Sequence, residues 1–295
     1  MTHRHLIRAF VMLLLLWSTP ASADDSRHSL TYRNVMVLQA NPILVRDELS
    51  VDYHFRIYDS PSPYLRNNYF GFAFRPVISP GFSRIGAAFE VAPVSVLRLG
   101  VGFEQINYFG SFGQLQGVIA PGAPYSDEIQ SDRREAEQHY AASGTKLTFS
   151  LQAQNRFGTF IVRDLFELHR SAFTLRAGDL YYYDPVLDML MPEQGFAFTN
   201  DFDALYISPF GLILGLRYTL TKAFYGTGDD PNGPTHRLGP SFSYVVFQNP
   251  GKAFDSATVF VLLNWWLKHR WRTGADVSAG FPFLSVGFSF TGEIL

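Results

Sequence analysis

A chain of 295 residues with no cysteine and a formal charge of −2 has no disulfide framework, no thiolate metal site and no electrostatic preference for nucleic acid. It is 47% apolar and 16% aromatic but only 17% charged, where a soluble domain carries about 25%. Lipid can take up such a surplus.

The first 23 residues have the order of a secretory signal: His3, Arg4, His5 and Arg8, then the apolar Phe10 to Trp17, then Ala21-Ser22-Ala23. That apolar run is far shorter than the ~20 residues of a spanning helix. The expectation is a removable signal over 1–23 and one domain over 24–295, because no Pro/Ser-rich linker divides the remainder. No later stretch reaches the ~18 apolar residues of a spanning helix, the longest strong run being Ala257 to Leu267. For so apolar a chain, a closed β-barrel is the membrane solution left, since it satisfies every strand backbone group inside hydrocarbon.

Period-two alternation supports this in chain order. Leu49, Val51, Tyr53, Phe55 and Ile57 alternate with Ser50, Asp52, His54 and Arg56. Leu97, Leu99, Val101 and Phe103 alternate with Arg98, Gly100, Gly102 and Glu104; Leu147, Phe149 and Leu151 alternate with Lys146, Thr148, Ser150 and Gln152. Only Ala257 to Leu267 blurs the pattern. The strands predicted are 31–40, 48–58, 67–77, 82–91, 95–108, 144–155, 159–172, 195–207, 211–225, 237–248, 256–268 and 276–293. The fold class is therefore all-β, a transmembrane antiparallel up-and-down barrel of about 12 strands, with 10–14 open because Phe173 to Tyr183 can be read as a separate strand or as an extension.

Short links at Ala92-Pro93-Val94, Asn155 to Gly158 and Ser208 to Gly211 alternate with long ones at Gly110 to Ser143, Asp184 to Gln194 and Gly226 to His236, as short periplasmic turns alternate with long outer loops. The link Asp59 to Asn67 is long for its side. Aromatic residues at strand ends, Tyr69 and Phe70, Tyr108 and Phe109, Tyr181 to Tyr183, Phe224 and Tyr225, and Trp265 and Trp266, are expected to form interfacial girdles.

With these strands, the leader and the closing Val286-Gly287-Phe288-Ser289-Phe290, the chain resembles the Gram-negative outer-membrane barrel proteins over essentially its whole mature length. The resemblance implies an outer-membrane location, contact with membrane lipid and lipopolysaccharide, and handling by the barrel-assembly machinery. Members typically end in an aromatic residue, whereas Leu295 stands here.

Residues whose strand parity opposes the apolar face are the candidate lumen lining: Arg75, Arg84, Glu90, Arg98, Glu104, Lys146, Arg163, Glu167, Arg217 and Lys222. His169-Arg170-Ser171 has a His-x-Ser spacing similar to that of outer-membrane phospholipases and lipid A deacylases, and its ends share one face of a strand. Such chemistry needs a lipid-facing dyad, while His169 and Ser171 share parity with Arg163 and Glu167. Asp229-Asp230-Pro231-Asn232-Gly233 lacks the spacing and terminal Glu of a calcium loop and reads as a turn, and no metal or cofactor is assigned from the sequence. Three functions stay open at this point: a narrow channel for small polar solutes, a non-conducting structural or surface-interaction barrel, and a membrane-embedded lipid hydrolase.

Overall fold

The computed structural model describes residues 27–226, 230–273 and 281–295, so the proposed signal and the start of the last expected strand, 276–280, lie outside the described residues. In chain order the strands are β1 (His28–Ala40), β2 (Leu44–Phe55), β3 (Tyr69–Ile78), β4 (Phe82–Val94), β5 (Leu97–Phe109) and β6 (Gly117–Val118). After helix α1 (Asp127–Glu135) come β7 (Ala141–Phe157), β8 (Phe160–Thr174), β9 (Tyr181–Asp184), β10 (Met189–Pro192) and β11 (Gln194–Ile207). The chain then runs through β12 (Leu212–Phe224), β13 (Thr235–Gln248), β14 (Ser256–Lys268) and β15 (Phe283–Glu293).

Twelve of these strands form a closed antiparallel barrel in chain order, and β10, β9 and β6 form a separate three-stranded sheet. Closure runs from Thr31 facing Glu293 to Ala40 facing Leu284, and Ile294 N–H adds a 2.7 Å bond to Leu30 O. No edge remains on the wall, which a strand in hydrocarbon requires.

The alternation sets the two faces. Met36, Leu38, Phe72 and Phe103 each expose more than half of their surface outward, while Val37, Ala73 and Ala88 on the opposite parity are buried. Among the described residues no helix is long and apolar enough to cross a membrane. A closed wall with an apolar exterior is a transmembrane barrel of the outer-membrane kind. Two polar pairs on the apolar outer face satisfy each other: Asn34 donates to Asp47 at 2.7 Å, and Asn200 to Asp164 at 2.7 Å.

Both described ends of the wall, His28 and Glu293, lie on the side of the short turns 95–96, 158–159 and 208–211. That side also carries the link 249–255 and a longer one, residues 56–68, which is where the loop pattern fits least well. Asn68 organises this link: its Oδ1 accepts from Ile57 N–H at 3.0 Å and Tyr58 N–H at 2.8 Å, and its Nδ2 donates to Leu65 O at 2.7 Å. The opposite, outer side carries the long segments 110–140 and 175–193.

Those outer segments form a folded cap. The stretch Phe173 to Tyr183 divides between the end of β8 and the start of β9, so it adds no strand to the wall. Tyr181 to Tyr183, expected in a girdle, are instead buried in the cap with Tyr108 and Tyr225. A ring at a strand end is equally satisfied by a headgroup layer or by a protein core, and beyond the strand no parity distinguishes them. Tyr125, Tyr182, Leu115, Met189, Leu190 and Met191 expose 1% or less. Each such side chain contributes roughly 2 kcal/mol of burial to the cap.

Candidate functional site

The barrel encloses a cavity of about 800 Å³ whose wall is polar, and a second space of about 580 Å³ adjoins it at the end bearing the short turns. The two meet at His54, Arg98 and Gln152. At the outer end the cavity stops against Asp184, Val186 and Leu187 of the cap. Arg75 and Arg98 keep 40% and 41% of their side-chain surface accessible, so the interior is wet rather than packed.

Two tiers of charge cross the arc from β2 to β7. Nearer the cap, Arg46 is hydrogen-bonded to Glu48, Arg84 lies 4.0 Å from Glu48 and 3.8 Å from Glu104, and Lys146 reaches Glu104 at 2.8 Å. Nearer the short turns, Arg75 is hydrogen-bonded to Glu90 and lies 3.9 Å from Asp52, while Arg98 lies 3.7 Å from Glu90 and bonds Gln152. Farther round, Asp203 is bracketed by Arg163 at 2.6 Å and Arg217 at 2.7 Å, and Arg217 lies 3.5 Å from Asp201. Each pair adds little stability where water reaches it, but the chain of pairs holds long side chains against the wall.

Nine of the ten sequence-proposed lining residues point inward: Arg75, Arg84, Glu90, Arg98, Glu104, Lys146, Arg163, Glu167 and Arg217. Lys222 does not. It sits opposite Phe198 on the outward register, 3.3 Å from Asp230 and with its amine 5.7 Å from the Phe224 ring centre. Near the outer rim a lysine can lay its stem on the apolar face and still reach water. Asp201 and Asp203 were missed, although their alternation with Asn200, Phe202 and Ala204 marks them as inward.

His169 and Ser171 also face the interior, close beneath the cap. His169 Nδ1 is 3.2 Å from Thr148 Oγ1, Nε2 is 3.9 Å from Glu167, and Ser171 is 3% exposed. An acyl chain in the surrounding lipid has no route to them through the closed wall.

The cap is tied to the barrel by a buried polar cluster that sequence patterning could not foresee, because its members come from separate loops. Asp188, His269 and Arg272 expose 1%, 2% and 7% of their surface. Arg272 donates to both Asp188 oxygens, to Asp127 Oδ2 at 2.7 Å and to Asn41 Oδ1. One guanidinium thus joins the β1–β2 turn, α1, the β9–β10 turn and the segment after β14. Tyr183 O–H donates to Asp188 Oδ1 at 2.7 Å.

The proton positions follow from the same contacts. Trp271 N–H donates to His269 Nδ1 at 3.1 Å, so the proton sits on Nε2, which donates to Asp188 O at 2.9 Å. Burial pushes the His269 pKa below its usual 6.5, keeping the ring neutral. Burial by itself would raise the Asp188 carboxyl, but the Arg272 charge, the neighbouring His269 and the hydrogen bonds from Arg272 and Tyr183 together outweigh it and hold the pKa down to about 2.

No family model and no curated protein matches the chain. Among solved structures it is similar to the KdgM porin, with a TM-score of 0.40 and 10% identity over 88% of this chain and 98% of that one. The β domain of the Bordetella autotransporter BrkA gives 0.41 and 10% over 90% and 99%. LpxR from Salmonella typhimurium gives 0.38 and 9% over 89% and 99%.

Proposed function

We propose that the chain is a narrow outer-membrane channel for small polar solutes whose outer mouth is closed by a folded cap. The observation that carries this is the continuous polar space from the cap to the short-turn end, with its charges paired along the wall rather than across the bore. A solid structural barrel would interdigitate its interior side chains, as small barrels do. On this reading, lipid and lipopolysaccharide are the surroundings of the apolar face and outer loops, and passage requires the cap to shift.

A second reading, a non-conducting barrel that presents its cap to the exterior, is favoured by the cap's own apolar core. Planar-bilayer recording of the refolded chain separates the two. The channel predicts rare openings in the wild type, frequent openings in Arg272→Ala, and a shift of ion selectivity when Arg98→Glu and Arg217→Glu are combined. Silence from a folded Arg272→Ala barrel would establish the non-conducting alternative. The hydrolase is the weakest of the three, since His169 and Ser171 face away from lipid; lipid turnover lost on Ser171→Ala would revive it.

A further inference from the structure

The arc formed by β13, β14 and β15 differs from the arc running from β2 to β12, whose inward arginines are ion-paired. Its inward residues are chiefly small or apolar, Ser241, Ser243, Thr258, Phe260, Leu262, Ser285 and Gly287, and between the rims it carries one charge, Arg237. In the register Arg237 faces Trp266, and Asn264 faces Phe283. Gly239 lies so close to the backbone of Leu263 and Asn264 that any side chain there would collide, which presses β13 onto β14 at this point.

Polar atoms without partners gather on this patch. Twelve covered side-chain nitrogens and oxygens among the described residues lack a hydrogen-bond partner, and four belong to just three neighbours: Arg237 Nε, Asn264 Nδ2, Asn264 Oδ1 and Trp266 Nε1. Three of the four are donors. Asn264 exposes none of its surface, and a covered amide with neither atom paired costs on the order of 1–3 kcal/mol per group. Of the three, Arg237 lines the lumen cavity, and the Trp266 ring packs beside its guanidinium.

The cation is similarly unspent. Arg46, Arg75, Arg84, Arg98, Arg163 and Arg217 each have a carboxylate within 4.0 Å. Arg237 forms no ion pair among the described residues; its guanidinium carbon rests 4.0 Å from the Phe283 ring centre and 5.5 Å from that of Trp266. Aromatic faces hold the guanidinium in place while leaving its N–H edge unused. Asp201, on the same cavity wall, is occupied by Thr219 O–H at 2.5 Å and by Arg217.

We infer that Arg237, backed by Trp266 and Asn264, forms an anion cradle beneath the cap, taking the carboxylate or phosphate group of a small solute. Arg237 lines the same cavity as Val186 and Leu187 of the cap, so a bound anion would sit at the closed end of the path. The inference presupposes the solvent-filled lumen proposed above and adds the chemical class of solute it receives.

The test is tryptophan emission of the refolded chain in detergent, titrated with inorganic phosphate and, separately, acetate, each against chloride at constant ionic strength. Trp266 lies in the cradle and reports directly. The cradle predicts a saturable change that Arg237→Gln weakens about tenfold or more, as loss of a charge-assisted hydrogen bond requires. Arg237→Lys should retain part of it, and Arg33→Gln, elsewhere on the lumen wall, should retain all. Heat-modifiable gel migration verifies that each variant is folded. A wild type with no saturable response, or an Arg237→Gln or a folded Arg237→Lys barrel that respectively binds normally or not at all, overturns the cradle. Because binding is read without conduction, a silent barrel that binds phosphate sinks the channel alone, and a conducting barrel that ignores both anions sinks the cradle alone.

Discussion

Wall and cap place their large apolar side chains on opposite sides. Leu38 and Phe72 on the wall expose 60% and 55% of their surface outward, whereas Tyr182, Met189, Leu190 and Met191 in the cap expose none. The wall is held by a closed ladder of backbone bonds, which lipid cannot replace. The cap is held as a water-soluble domain is, by burial from water together with the Asp188–Arg272 pair. Lipid tails are as apolar as leucine and supply no hydrophobic force within the wall. The two regions should therefore respond to different perturbations, and a barrel can lose its cap without losing its closure.

The largest effect should come from Arg272→Ala. It leaves Asp188 charged, buried and unpaired, which costs about 3–5 kcal/mol, and it releases Asn41 and Asp127 as well. Limited proteolysis should cleave within 110–140 in the variant while the barrel keeps its heat-modifiable migration. Joint collapse of cap and barrel would show that they are one cooperative unit. Replacing both partners, Asp188→Leu with Arg272→Leu, should be milder than the single change, since no lone charge is left behind.

Truncation sharpens the contrast further. Leu190→Ala opens a cavity in the cap core and should cost about 2–5 kcal/mol. Leu38→Ala removes a similar side chain from a face where lipid fills the space, so its effect on thermal denaturation should be below about 1 kcal/mol. Equal losses at the two sites would break the division between wall and cap.

Acid should loosen the cap in two stages. His269 is harder to protonate when folded, so the stability it confers is complete above its ordinary value of 6.5 and declines as pH falls below it toward the lowered folded value. Asp188 has a folded pKa of about 2 against an ordinary 3.8, so its contribution is complete above 3.8 and is lost between those values. Proteolysis of the cap by an acid-tolerant protease should rise first below about pH 6.5 and again below about pH 4. His269→Gln should remove the first rise and keep the second; a single rise unaffected by this change would discard His269 as its source.

The same contrast explains what could be read from the chain. On the wall, lipid outside and water inside force a period of two, so all twelve strands and nine inward charges follow from residues such as Leu49 to Ile57 and Leu97 to Glu104. Even the blurred β14 obeys it, with Val261, Leu263 and Trp265 outward and Phe260, Leu262 and Asn264 inward. The cap has no such rule. Asp188 and Arg272 are 84 residues apart, and His269-Arg270-Trp271-Arg272 looks like any loop until the fold brings it to the β9–β10 turn. Arg237 and Asn264 were missing from the proposed lining, although their parity with Ser241 and Leu262 marks them as inward, and their lack of partners is a property of three packed strands.

Lys222 carries the smallest predicted effect and the most direct check on the faces. Arg217 and Lys222 have opposite parity on β12, so a regular strand cannot turn both inward, and the register gives the inward place to Arg217, bonded to Asp203. Lys222→Met should thus leave conductance and ion selectivity unchanged and cost at most about 0.5–1 kcal/mol through loss of its exposed pair with Asp230. Lys146→Met, in contrast, removes the close partner of Glu104 inside the lumen and should shift selectivity toward cations. A selectivity change of similar size from Lys222→Met would mean that the outer rim, rather than the bore, governs which ions enter.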